Sequence, residues 1–224
     1  VIASYPRWQR RRNGWNAAAD WFRFTPGVVT AINLLLLSET EEGDEILIQR
    51  PVYYPFADSI QRQKRSVVNS PLQLKNGRYE IDFADFERKA ASPRCKAFIL
   101  SNPHNPVGRV YTEEELRKLG EICRKHHVFV IADEIHSDLI FPGHRHHVFA
   151  SLGEEFAENC AVCHAPSKTF NLAGLSFSCI LIPNQARRER FDQMFARYCR
   201  AHPNFFAPVA AKAAWDYGED WLNS

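Results

Sequence analysis

The sequence predicts an α/β fold, a three-layer αβα sandwich in which helices cover both faces of a mostly parallel sheet. Short apolar runs alternate with helical segments along the 224 residues of the chain. The runs 97–100 and 128–132 are apolar at every position, which is typical of strands buried on both faces. Strands that alternate with helices in this way indicate parallel strands joined by helical crossovers.

The first half of the chain is expected to supply helices and short strands in turn. Pro6 starts or interrupts the first helix, and Asp82 can cap a later one by accepting a hydrogen bond from its first turn. Asn76 and Gly77 form a dipeptide that favours a tight turn. We predict helices over 1–12, 28–37, 55–63 and from Asp82 to residue 91, and strands over 45–49 and 66–68.

The second half continues the alternation. Residues 112–115 read Thr-Glu-Glu-Glu, a capping box that begins a helix. Leu116, Leu119 and Cys123 then lie on one face of that helix. We predict further strands over 160–163 and 178–182, and helices over 186–198 and 207–217.

Composition argues against several classes of function. The formal charge is +2, from 28 basic and 26 acidic residues, so we expect no nucleic-acid or membrane partner. The six cysteines lack the density of a disulfide scaffold, and the cytoplasm is the expected location. Cys160 and Cys163 would point to opposite faces of a strand, and His144, His146 and His147 match no zinc pattern. We therefore expect a solvated histidine loop and no metal site.

Three candidate groups follow three predicted strands, where ligands collect in open α/β sheets. Lys168 follows the strand 160–163, in a turn of small and hydroxyl residues. Its amine can form an imine with an aldehyde if burial or a cationic neighbour keeps part of it unprotonated. Most lysines are simply surface residues, and Asp133, at the end of another strand, could equally be an ordinary cap. The proline-rich loop 102–108, which contains Asn105, is the third group.

Two further motifs are weaker signals. Gly27 precedes a predicted helix, and the free N–H groups of such a helix end can bind a phosphate. Tyr53 lies between prolines and could stack on a flat ring, although a core aromatic residue is the simpler interpretation of that motif alone.

Taken together, these motifs resemble the class I/II aminotransferase family of enzymes that use pyridoxal 5'-phosphate (PLP), fold type I. Within it they most resemble the cystathionine β-lyase or C–S lyase branch. The resemblance follows the order of the chain through the segments 25–29, 51–56, 101–109, 132–139, 149–152 and 165–174. It implies that residues 1–224 are the large PLP-binding domain, without the N-terminal segment and the C-terminal small domain of the family.

The resemblance also implies roles for individual residues. Lys168 would form the imine with PLP, Asp133 would pair with the pyridine nitrogen, and Tyr53 would stack on the ring. Asn105 would contact the ring hydroxyl oxygen, and His136 stands where many relatives have a tyrosine that contacts the same oxygen. The phosphate would be bound by Gly27, Val28, Val29 and Ser167. Many aminotransferases have an arginine eight residues after the lysine, but here that position is Ser176.

The reaction expected from the resemblance is α,β-elimination from a sulfur amino acid, which gives pyruvate, ammonia and a thiol. An aminotransferase would use the same residues and remains the alternative. A third alternative is a PLP-binding fragment without activity, because the arginine that binds the substrate carboxylate usually lies in the small domain. The intact enzyme is expected to be a homodimer.

Overall fold

The fold is described by a computed structural model, which covers residues 1–199 and 202–224. The strands are β1 Phe22–Thr25, β2 Glu45–Ile48, β3 Ser66–Asn69, β4 Gln73–Lys75, β5 Arg78–Glu80, β6 Cys95–Ser101, β7 Phe129–Asp133, β8 Cys160–His164 and β9 Ser178–Leu181. The helices are α1 Ser4–Asn13, α2 Val28–Glu39, α3 Pro55–Arg62, α4 Phe83–Ala90, α5 Glu113–Lys125, α6 Glu154–Ala157, α7 Pro166–Thr169, α8 Gln185–Tyr198, α9 Ala207–Tyr217 and α10 Glu219–Asn223.

The main sheet contains seven strands in the order β1-β9-β8-β7-β6-β2-β3. Strand β9 pairs antiparallel with both of its neighbours, and the other pairs are parallel. The carboxyl ends of β1, β2, β6, β7 and β8 therefore all lie at one edge of the sheet. This edge is where ligands bind in open α/β folds.

Helices cover both faces of the sheet, which confirms the predicted three-layer sandwich. One core lies beneath α2, α3 and α8, and the other beneath α1, α4, α5, α6 and α9. Side chains of β6 alternate between the two cores: Ala97 and Ile99 enter the first, whereas Phe98 and Leu100 enter the second. Because both faces are covered, residues 97–100 of this strand are apolar without interruption.

Most predicted elements are present, with ends that differ by a few residues. The first helix begins at Ser4 rather than at residue 1, and the capping box is complete, with Glu115 N donating to Thr112 Oγ1 at 3.2 Å. Asp82 caps α4 by accepting from Asp85 N at 3.0 Å. The Asn76-Gly77 turn joins β4 to β5 in a separate antiparallel hairpin, with positive φ at both residues.

The sequence prediction missed β1 and the strands of that hairpin. Strand β1 has four residues, only one of which is fully buried, so no continuous apolar run marks it. The hairpin strands have three residues each and are mostly exposed, so burial leaves no pattern in them. None of the helices in the part of the chain that the structure describes is both long and apolar enough to cross a bilayer.

Candidate functional site

The loops that carry the predicted site residues leave neighbouring strands at one edge of the sheet. Ser101, at the end of β6, is paired with Asp133 at the end of β7, and Asp133 is paired in turn with Cys163 of β8. Asn102 N donates to Asp133 O at 2.9 Å just beyond this edge. The register therefore brings together the Asn105 loop, Asp133 and the turn that carries Lys168.

A cavity of about 240 Å³ opens at this edge of the sheet. Its walls include every residue that the sequence predicts for the site, namely Gly27, Val28, Val29, Tyr53, Asn105, Asp133, His136, Ser167 and Lys168. These residues come from five separate segments of the chain. Their convergence places an amine, a carboxylate, an amide, a phenol ring, an imidazole and a helix N-terminus around one space.

Lys168 lies on α7, a single turn of helix that begins with Pro166. Pro166 suits this first position because the ring sets a helical φ and the missing N–H has no partner there. Lys168 is exposed, so burial, the first of the two conditions named for an unprotonated amine, is not met. Its side chain belongs to the cavity wall and makes no ion pair with any residue that the structure describes. No described residue therefore competes with a ligand for this amine through an ion pair.

Asp133 is buried at the end of β7, and one oxygen accepts a hydrogen bond from Ile135 N at 3.2 Å. Burial raises the pKa of Asp133 to about 7, and the charge of Glu134 adds to the rise. The Ile135 hydrogen bond and the charges of His164 and Lys168 oppose it. A cation placed beside this carboxylate would favour its ionised form and lower that pKa again.

His104 connects the loops that carry Tyr53 and Asn105. It is buried, with Nε2 at 2.9 Å from Pro51 O and Nδ1 at 2.9 Å from Tyr111 Oη. A carbonyl oxygen only accepts, so Nε2 carries the proton and Tyr111 donates to Nδ1. Burial lowers the pKa of His104 to about 4, which keeps the ring neutral. His104 lies in the proline-rich loop 102–108, and its local sequence predicts no role for it.

The N-terminus of α2 faces the cavity. The first hydrogen bond of this helix runs from Ala31 N to Gly27 O, so the preceding N–H groups have no acceptor one turn earlier. Gly27 has φ of +103° and ψ of 150°, a conformation that essentially only glycine adopts. The N–H groups and the helix dipole together favour an anion at this point.

Other residues line the cavity that the sequence analysis did not assign to it. They are Pro26, Thr30, Ser101, Ile135, Ala173, Ser176 and Phe177. Ser176 has a left-handed backbone with φ of +49°, at the end of a short 3-10 helix. Ser176 stands where many aminotransferases have an arginine, and it lines the cavity.

His136 also lines the cavity, and its pKa is lowered by burial and by the charges of Lys168 and His164.

The predicted solvated histidine loop is wrong in one respect, since His146 is buried. Its Nε2 lies 2.9 Å from Glu134 Oε2, and the other oxygen of Glu134 accepts from Phe149 N at 2.8 Å. Glu134 thus lies outside the cavity lining and anchors this loop, although it directly follows Asp133.

A larger groove of about 830 Å³ lies beside the cavity and shares Asn105 and His136 with it. Its walls carry charged side chains that include Arg78, Arg145 and Glu114. It lacks Lys168 and Asp133, the two groups whose chemistry defines the candidate site. No set of three or more histidine, cysteine, aspartate or glutamate residues arranged to hold a metal ion occurs among the described residues.

Comparison with known proteins gives an independent view of the chain. It is 45% identical over 216 residues to cystathionine beta-lyase PatB of Bacillus subtilis, an alignment that covers 96% of this chain and 56% of that protein. Cystalysin from Treponema denticola, whose crystal structure contains a pyridoxal 5'-phosphate cofactor, superposes with a TM-score of 0.97 at 36% identity. That match covers 99% of this chain and 56% of cystalysin.

A PLP-bound C–S lyase from Staphylococcus hominis superposes with a TM-score of 0.92 at 34% identity, over 99% of this chain and 56% of that one. The chain thus spans a little over half the length of these relatives. The family model described as "Aminotransferase class I and II" matches residues 12–223. The match extends over nearly the whole chain, and this chain therefore belongs to the aminotransferase class I and II family.

Proposed function

We propose that the protein containing this chain is a PLP-dependent C–S β-lyase. It would act on cystathionine-like amino acids by α,β-elimination and release pyruvate, ammonia and a thiol. The observation that carries PLP chemistry is the convergence of Lys168 and Asp133 in one cavity beside the N-terminus of α2. The similarity to cystathionine β-lyase and to C–S lyases supports elimination as the reaction.

The donor groups of the cavity fit PLP. An amine suits its aldehyde, a carboxylate suits its pyridine nitrogen, and free N–H groups at a helix end suit its phosphate. A methyl group added at Gly27 would meet no atom within 4 Å, so the backbone there borders open space that an anion can enter. Tyr53 is half-buried and offers an aromatic face at the same cavity.

When bound, PLP withdraws electrons from the Cα atom of an amino acid and so stabilises a carbanion there. Asp133, buried and next to the ring nitrogen, would hold a proton on that nitrogen by its negative charge. Asn105 would orient the ring hydroxyl through its amide, and Tyr53 would cover one ring face. The backbone of Gly27, Val28 and Val29, with the hydroxyl of Ser167, would bind the phosphate.

Lys168 is the group that moves protons. Its Nζ would first hold the cofactor and, once the substrate amine has displaced it, would take the proton from Cα as a general base. The electron pair of the Cα–H bond would form a Cα–Cβ double bond while the pair of the Cβ–S bond leaves with the sulfur, and the proton held on Nζ would pass to the thiolate to give the thiol. Water then converts the released aminoacrylate to pyruvate and ammonia.

The test is Lys168→Ala in the intact protein. We expect it to abolish both the visible absorption band of bound PLP and pyruvate release from cystathionine. Lys125→Ala is the matched control, because Lys125 is an exposed lysine on α5 that pairs with Glu87. A Lys168→Ala protein that keeps the band and the activity would rule out the assignment.

An aminotransferase remains the second candidate, because the matched family carries that activity in its description. The two reactions differ in whether the carbanion expels a β-substituent or is reprotonated at the cofactor. Pyruvate release without an added keto acid supports the lyase, whereas amino transfer that requires a keto acid supports the aminotransferase. Absence of both, with PLP bound, would support a binding protein without turnover.

We also propose that the intact protein is a homodimer in the cytoplasm. The family supports the homodimer, and free cysteines support a reducing compartment, because none of the six forms a disulfide and five are buried. Analytical ultracentrifugation of the intact protein tests the assembly. A monomer that retains full activity would contradict it.

A further inference from the structure

Three segments of the chain meet at the carboxylate of Asp138, whose side chain is fully buried. Trp8 Nε1, on α1, donates to Oδ1 at 3.0 Å. Thr169 Oγ1, on α7, donates to Oδ2 at 2.8 Å. Neither Asp138 nor its partners line the candidate cavity, so the site described above does not account for this cluster.

Thr169 directly follows Lys168. Their side chains leave the turn in different directions, since Thr169 is 3% exposed whereas Lys168 opens into the cavity. Helix α7 has only four residues, and a single turn has little stability of its own. Tertiary contacts therefore decide how this turn is oriented, and the bond from Thr169 to Asp138 is the buried polar contact that it makes.

Asp138 lies in the same loop as Asp133. This loop is compact, with Asp133 accepting from Ile135 N and Leu139 N donating to His136 O at 3.0 Å. The hydrogen bond between Thr169 and Asp138 consequently joins the turn that carries the amine to the loop that carries the carboxylate. Movement of one relative to the other would have to break this bond.

We propose that Asp138 is a positioning residue that sets the placement of Lys168 relative to Asp133 through its hydrogen bond to Thr169. Trp8 holds the other oxygen of Asp138 and so connects the same point to α1. This inference rests on the proposed function, in which Lys168 binds PLP and Asp133 pairs with it.

The electrostatics of the cluster suit this role. Burial by itself would raise the pKa of Asp138, but the nearby His164 and the hydrogen bonds from Thr169 and Trp8 outweigh it and lower the pKa. His164 Nε2 lies 3.5 Å from Oδ2, and both ring nitrogens lack a hydrogen-bond partner among the described residues. A buried carboxylate stays ionised only if hydrogen-bond donors stabilise its charge. Loss of the Thr169 hydroxyl would therefore destabilise the ionised form of Asp138 and disturb its position.

The decisive variant is Thr169→Val in the intact protein with PLP bound, because valine keeps the shape and removes the hydroxyl. We expect PLP to remain bound while its visible circular dichroism band changes in amplitude. We expect kcat for pyruvate release to fall about 10- to 100-fold, since a misplacement of ~1 Å costs that much, and KM to change less than about 3-fold. Thr169→Ser should restore both.

Thr40→Val is the control. Thr40 is also buried and hydrogen-bonded, donating to Leu36 O at 2.6 Å, but it lies at the far end of α2. It should lower stability without changing the dichroism or kcat. If Thr169→Val changes neither, or if Thr40→Val changes them equally, the positioning role is overturned.

If Thr169→Val does not fold, Trp8→Phe takes its place, because it removes the other hydrogen bond to Asp138 and keeps an aromatic ring. An unchanged dichroism band and kcat in that variant would overturn the inference. Failure of the proposed function gives a different result. In that case Lys168→Ala would retain the visible band, whatever the Thr169 variants do.

Discussion

Burial raises the pKa of the Asp133 carboxyl group to about 7, well above the ordinary value of 3.8. A raised carboxyl pKa means that the folded protein keeps a proton which the unfolded chain has already lost. The free energy of unfolding therefore decreases as the pH rises from about 4 to 7, and this contribution is level above pH 7. An asparagine side chain cannot titrate in this range, so Asp133→Asn removes this dependence.

The size of this change in unfolding free energy follows from the difference between the folded and unfolded pKa values of Asp133. From pH 5 up to the folded pKa of about 7, a span of about two pH units, Asp133 is protonated in the folded protein and ionised in the unfolded chain. At roughly 1.4 kcal/mol per unit, the free energy of unfolding falls by about 2.7 kcal/mol over this span. Asparagine can still accept the hydrogen bond from Ile135 N, so the fold should persist. The difference in unfolding free energy between Asp133→Asn and the wild type should thus increase by about 2.7 kcal/mol from pH 5 to pH 8.

The assay is urea denaturation of the PLP-free protein at half-unit steps of pH. Asp58→Asn, an exposed carboxylate on α3, is the control for the loss of one negative charge. Parallel stability curves for Asp133→Asn and the wild type would refute the reasoning.

The same variant should bind PLP more weakly, because its side chain offers no negative charge to the ring nitrogen. Asp133 would then lower stability in exchange for cofactor binding.

Three further variants test the scaffold of the site. Gly27→Ala should lower the free energy of unfolding by about 1–3 kcal/mol, because alanine is strained at φ of +103°; a urea titration measures this. Tyr111→Phe should cost about 1–3 kcal/mol by leaving Nδ1 of His104 without a donor, and unchanged stability would disprove the assigned tautomer. Glu134→Ala should cost at least about 2 kcal/mol, because Phe149 N loses its buried acceptor; hydrogen exchange at that amide should accelerate, and protection equal to wild type would contradict the role.

Much of the fold could be predicted because its signals are local. The continuous apolar strands 97–100 and 128–132 required two covered faces, and the capping box at Thr112 marked the start of α5. Strand β1 has no such signal, since only one of its four residues is fully buried. It exists because β9 offers it an edge with which to pair, and no local pattern records that partner.

In the candidate site, too, some features follow from local sequence and others depend on distant partners. Lys168, Asp133 and Asn105 follow strands, and the rule for parallel sheets predicts that they lie at one edge. The buried hydrogen bonds to Asp138 could not be predicted, because the partners are far apart in sequence: Thr169 lies 31 residues from Asp138, and Trp8 lies 130 residues from it. A threonine that bonds a distant carboxylate has the same local sequence as one that bonds water.

Periodicity and ordered motifs are properties of the chain, so the sequence was enough to predict the class of fold, the family and the residue types that we propose to bind PLP. The folded structure was needed to show that Lys168 is exposed, that burial raises the pKa of Asp133 to about 7, and that His146 is buried and hydrogen-bonded to Glu134. Burial, desolvation and hydrogen-bond partnership depend on neighbours brought from elsewhere in the chain. Those quantities exist only once the chain has folded.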